Sequence, residues 1–146
     1  MLPDPILAAE ARRWATWASD DLAAARAMTV GVAAVFPRQA CYLAQQAAEK
    51  AVKALLIAHD IDFPKTHDLL RLRALLPPAA QAQSVAGAWS ELTDWVVQAR
   101  YPGPGPDACM SDAQHAIALA QAILDSVALD LVAAGVATNG KHVGPG

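Results

Sequence analysis

The segment Arg38–Ala58 limits the fold more than any other part of this chain. Read at helical spacing, Cys41, Ala44, Ala48, Ala51, Leu55 and Ala58 form one apolar row. Ala40, Leu43, Ala47, Ala54 and Ile57 form a second row, interrupted by Lys50. The remaining row, Tyr42, Gln46, Glu49 and Lys53, is polar. A helix apolar around most of its circumference has to be surrounded by other helices, so this one is expected at the centre of a bundle with one polar edge. Lys50, inside an apolar row, must reach water along its stem or meet a partner, because an unpaired buried ion is costly.

The remaining chain reads as helices that pack around this one. Asp4-Pro5 is a helix start, with an N-cap followed by proline in the first turn. The first helix is expected to run to about Met28, with Ala11, Trp14, Ala18, Leu22 and Ala25 inward and Asp21 beside them. Thr29 to Pro37 reads as a connector and His59 to Pro64 as a loop. Thr66 is the expected N-cap of a short third helix ending before Pro77-Pro78. A fourth helix is expected over roughly Gln81 to Arg100, burying Val85, Trp89, Leu92, Val96 and Ala99. Pro102-Gly103-Pro104-Gly105-Pro106 cannot be helix. Ser111 and Gln114 form an expected capping box for a last helix, with Ala113, Ile117, Ala120, Leu124, Val127 and Leu131 inward and Gly135 closing it. The fold class is therefore all-α: an up-and-down bundle of four long helices and one short one, within a single domain over residues 1–137. The Gly-rich, polar segment 138–146 reads as a disordered tail.

Composition agrees with this. Hydrophobic residues make up 55% of the chain but aromatics only 5%, so alanine carries the core and four tryptophans supply bulk. The start of the chain lacks a secretory pattern, the apolar runs are interrupted by Asp125 and Asp130, and the two cysteines suggest no disulfide framework. These features lead us to expect a soluble cytoplasmic protein, without membrane contact. The net charge of −3 argues against a general electrostatic trap for nucleic acid. Residues 37–76 nonetheless carry six cations against four anions, a net of +2, while the remainder is −5. An anion is better placed on the second and third helices than elsewhere.

The blocks Ala18 to Leu22, Ala44 to Leu56, Pro64-Lys65-Thr66-His67-Asp68-Leu69 and Arg100-Tyr101-Pro102 resemble, in that order, the HEPN family (higher eukaryote and prokaryote nucleotide-binding domains). The resemblance covers the whole globular part. It implies an all-helical bundle, commonly dimeric, that works beside a small nucleotidyltransferase in a toxin–antitoxin-like setting. Family members that cleave RNA resemble one another in an Arg-x(4–6)-His motif near Arg100. Here the corresponding positions hold Gly105, Pro106 and Asp107, so this chain resembles the group without the ribonuclease motif, and the expectation leans away from an enzyme.

The resemblance and the residue pattern together make Gln46, Lys50, Lys53, Lys65, His67, Arg100 and Tyr101 the candidate surface for a nucleotide, ATP or GTP, or for RNA phosphate. Lysine or arginine meets phosphate, and glutamine meets base or ribose. Each residue also has a structural reading. Arg100 can cap helix carbonyls, Lys53 can pair with Glu49 on a solvated edge, and His67 can brace Asp68 or a neighbouring helix. Rival readings are a ribonuclease toxin with a rearranged site, using Arg100 with His67 or His115, and a non-catalytic dimeric interaction module. The four histidines have no metal-ligand spacing with either cysteine, and the Pro-Gly segment lacks the N–H groups of a phosphate loop, so neither a metal nor another cofactor is expected.

Overall fold

The computed structural model describes residues 2–31 and 34–137, and the expected tail at 138–146 lies outside them. The order is α1 (Pro5–Ala27), α2 (Pro37–Ala58), α3 (Leu69–Ala74), a 3₁₀ turn (Gln81–Ser84), α4 (Trp89–Gln98) and α5 (Met110–Ala133). Asp4 caps α1 as expected, its carboxylate accepting the Ile6 N–H at 2.7 Å. The two apolar rows of α2 are buried or half-buried throughout, and this helix packs against α1, α3, α4 and α5. The expected all-helical bundle with α2 at its centre is the observed one.

Three local expectations need correction. The fourth helix is much shorter than expected, because Gly87 has φ +143° and breaks the segment into a 3₁₀ turn and α4, with Val85 half-buried between them. Thr66 does not cap α3. Its hydroxyl accepts the Asp68 N–H, and Asp68 is the cap, accepting from Leu70 and Arg71. Cys109 and Asp112, not Ser111 and Gln114, form the capping box of α5, with Asp112 accepting the Cys109 N–H at 2.8 Å. The amide of Cys109 is the main reason the Asp112 carboxyl is held below its ordinary pKa.

Among the described residues, α5 is long and apolar enough to cross a membrane, with mean hydropathy 1.8, which runs against the expectation from its interrupting aspartates. Its inner face is packed on α2, however, and Asp130 has an internal role. The Asp130 carboxylate is buried and accepts the N–H groups of Gln81 and Ala82, at 2.8 and 3.0 Å, so one side chain of α5 caps the 3₁₀ turn.

Both α2 and α5 end in paired bonds of the Schellman type. At the end of α5 the turn residue is Gly135 (φ +83°), and at the end of α2 it is Asp60, with φ +54°. Left-handed backbone disfavours any side chain, and glycine has no such penalty. Asp60→Gly is expected to raise stability by about 0.5–1 kcal/mol despite the freer unfolded chain. A matched pair of urea melts checks this, and a loss of stability would show that the Asp60 side chain contributes more than its backbone strain costs.

Candidate functional site

The polar edge of α2 is not solvated. The segment between α2 and α3 lies over it, and Gln45, Glu49 and Lys53 are all buried. Glu49 is the hub: Lys53 Nζ donates to Oε2 at 3.1 Å, Gln45 Nε2 donates to Oε1 at 3.2 Å, and His67 Nδ1 lies 2.7 Å from Oε1. An ionised carboxylate only accepts, so His67 Nδ1 is the donor in this contact. Gln46 Nε2 donates to Gln45 Oε1 at 2.6 Å, and Lys53 Nζ stands 5.5 Å from the centre of the Phe63 ring. No buried side-chain polar atom among the described residues lacks a partner. This network holds the connecting segment onto the central helix.

Three of the seven candidates therefore meet here: Gln46, Lys53 and His67. Lys53 does pair with Glu49 as one reading had it, but in a buried position, and His67 braces Glu49 on a neighbouring helix, not Asp68. Lys50 points the other way and pairs with Asp21 of α1, half-buried, which answers the question its apolar row posed. Lys65 is exposed on the segment before α3.

Arg100 and Tyr101 lie at the far end of the molecule from Lys53. Arg38, in the first turn of α2, donates to the Ala99 carbonyl at 2.6 Å, tying the end of α4 to the start of α2. Lys53 is about 22 Å further along α2 by helix rise. The seven residues consequently do not make one surface. At the α4 end, Arg100 stands over the Tyr101 ring, 5.6 Å from its centre, with Nη2 3.5 Å from the phenol oxygen. Both side chains are exposed, and Arg100 forms no ion pair among the described residues.

These two residues border an open cleft of about 1280 Å³ between α4, α5 and the Pro-Gly segment. Arg38, Trp95 and His115 line the same cleft, and so do Glu91, Asp94, Asp107 and Asp112. Cations gather where α2 begins and α4 ends, and two aromatic faces stand beside them. That arrangement suits a ligand with an anionic group and a flat ring, with the phosphate kept to the arginine end by the acids along α4. Sequence reading missed Arg38 and gave His115 only as part of a rival site. Neither has a local signature, since they join Arg100 only through packing. Cys41 is no competing nucleophile, because burial is the largest cause pushing its pKa up to about 12. Among the described residues, no cluster of His, Cys, Asp and Glu could hold a metal.

A central apolar helix is thus bracketed by a buried Glu–Lys–His hub toward one end and a cleft that Arg38 and Arg100 border at the other, within an all-helical domain. The HEPN domain family matches residues 11–130, and the chain belongs to that family. It is similar to TT1696 from Thermus thermophilus, at 30% identity over 82% of this chain and 97% of that one, with a TM-score of 0.71. It is also similar to ST0689, an archaeal HEPN homologue, at 29% identity over 83% of this chain and 97% of that one, with a TM-score of 0.63. No curated protein matches it. Membership supports a function related to nucleotides or nucleic acids.

Proposed function

We propose that this protein binds a nucleotide, or the phosphate of a nucleic acid, at the arginine end of the α4–α5 cleft. In this reading it is a cytoplasmic homodimer that acts beside a small nucleotidyltransferase in a toxin–antitoxin-like setting. One observation carries the ligand: Arg38, Arg100, His115, Trp95 and Tyr101 line a single open cleft, and Arg100 has no carboxylate partner among the described residues. The lysines that looked suited to phosphate, Lys50 and Lys53, are held by Asp21 and Glu49 and take no part.

The test is a calorimetric titration of ATP and GTP into the protein, Arg100→Ala and His115→Ala. A hydrogen bond to a charged group is worth about 1.5–3 kcal/mol, so loss of Arg100 weakens binding by about tenfold or more. Lys53→Met, if folded, leaves the affinity unchanged. Absence of heat with every nucleotide, from folded protein, sinks the reading.

The ribonuclease reading keeps one of its two forms. His67 is bound to Glu49, about 16 Å along α2 from the Arg38 end, whereas His115 lines the cleft that holds Arg100. If that pair acts on RNA, with arginine at the phosphate and imidazole moving the 2′-hydroxyl proton, cleavage disappears in both Arg100→Ala and His115→Ala and persists in His67→Ala.

A further inference from the structure

We propose, on the nucleotide reading of the α4–α5 cleft, that its base subsite selects guanine. The Glu91 carboxylate accepts the N1–H and the 2-amino group of a ring that lies against Trp95. The α4 wall of the cleft is one stripe, Glu91, Trp95 and Gln98, at spacings of four and three. The α5 wall, with His115, Leu119 and Ala122, follows helical spacing in the same way. Gly87 and Leu119 meet before the start of α4, where a Cβ on residue 87 would stand 2.7 Å from Leu119 Cδ1. Arg38 meets Ala99 at the other end of α4. The cleft therefore has two unlike ends, with arginines at one and the apolar Leu119 and Ala122 at the other.

Glu91 is the charge at the apolar end. It lies two turns before Gln98, about 10 Å by helix rise, with Trp95 between them. It is exposed and has no ion-pair partner among the described residues. The other acids of the cleft are placed differently. Asp107 precedes α5, and Asp112 lies in its first turn, where it accepts the Cys109 N–H. Asp94 is on the neighbouring stripe of α4, with Ser90 and Val97. Trp95 is half-buried, and its indole N–H has no acceptor among the described residues, whereas those of Trp14 and Trp89 donate to Glu10 and Val85. An aromatic face in a cleft whose other wall is apolar is a stacking surface for a base.

Hydrogen-bond direction chooses among the bases. An ionised carboxylate only accepts, and its two oxygens suit two adjacent donors. Guanine presents such a pair on its Watson–Crick edge, N1–H beside the 2-amino group. Adenine and cytosine present an amino group beside a ring nitrogen that itself accepts, so a carboxylate there opposes a lone pair. Uracil presents one N–H between two carbonyls, with the same conflict. In guanine that edge lies across the ring system from the sugar. An edge held by Glu91 therefore directs the phosphate toward Arg38 and Arg100. Water reaches an exposed carboxylate and competes for the same donors, so the preference is smaller than in a closed site.

Calorimetric titration of GTP, ATP and ITP into the natural protein and into Glu91→Gln tests the assignment. GTP is expected to bind at least about tenfold more tightly than ATP, since hydrogen bonds to a charged group are lost with adenine. ITP, whose base keeps N1–H but lacks the 2-amino group, falls between them. The amide of Glu91→Gln offers one acceptor and one donor, which suits adenine, so the order of GTP and ATP levels or inverts. Glu10→Gln, which removes an acid on α1 that pairs with Arg13, keeps the GTP preference. Equal affinities for GTP and ATP in the natural protein would overturn guanine selection and leave the nucleotide site standing. So would a GTP preference that persists in folded Glu91→Gln, or one that is lost equally in Glu10→Gln. Binding of none of the three nucleotides overturns the site and its selectivity together.

Discussion

Glu49→Ala is expected to lower the unfolding free energy by about 3–5 kcal/mol, because it leaves the Lys53 ammonium buried without its counter-charge. The side chains of Lys53 and Glu49 are only 10% and 7% exposed, so water cannot replace the missing carboxylate. The same change removes the acceptor of His67 Nδ1 and one of the two acceptors of Gln45 Nε2, which keeps the His67 carbonyl. Total stabilities of about 5–15 kcal/mol make this a loss that a domain of this size could barely survive. Glu49→Gln keeps the volume and one acceptor and should fall between. Replacing both charges, as Glu49→Met/Lys53→Met, should cost less than Glu49→Ala, since no buried ion is then stranded. Urea unfolding followed by circular dichroism ranks the three. If Glu49→Ala loses less than about 1 kcal/mol, the pair behaves as a solvated one and Glu49 is no structural hub.

The second large effect is expected at Asp130. Asp130→Ala leaves the Gln81 and Ala82 amides without their acceptor, one part-buried and the other buried, at a cost of about 2–4 kcal/mol for two charge-assisted bonds. Asp130→Asn retains one good acceptor oxygen and should lose roughly half as much. Hydrogen exchange gives a local readout. Protection of the Gln81 and Ala82 amides should collapse in Asp130→Ala while that of the α2 core amides falls only with global stability. Equal losses at every amide would mean that Asp130 supports the whole bundle and not the 3₁₀ turn.

Why these two residues matter was only partly legible beforehand. Glu49 sat in a visible polar row, and its Lys53 partner follows from helical spacing. That the row is roofed by the segment carrying Phe63 and His67 was not, because nothing local to α2 says which loop crosses it. Asp130 read as an interruption of an apolar helix, when it is the cap of a turn far earlier in the chain. Gly87 could have ended the long fourth helix sooner, since an isolated glycine is a known breaker, but its positive φ appears only in the folded backbone.

The helical class, the central place of α2, the start of α1 and the inward rows of α2 and α5 come from the sequence alone. Such features rest on residues three or four apart, whose relation is set by the pitch of the helix. Tertiary structure decided the partners of the charges: Lys50 with Asp21, His67 with Glu49, Arg38 with Ala99, Asp130 with Gln81 and Ala82. It also separated Arg100 and Tyr101 from Lys53 and put them in the lining of the same open cleft as His115. A buried charge announces in sequence that it needs a partner. Which partner it meets depends on how distant segments are brought together, and helical periodicity carries no information about that.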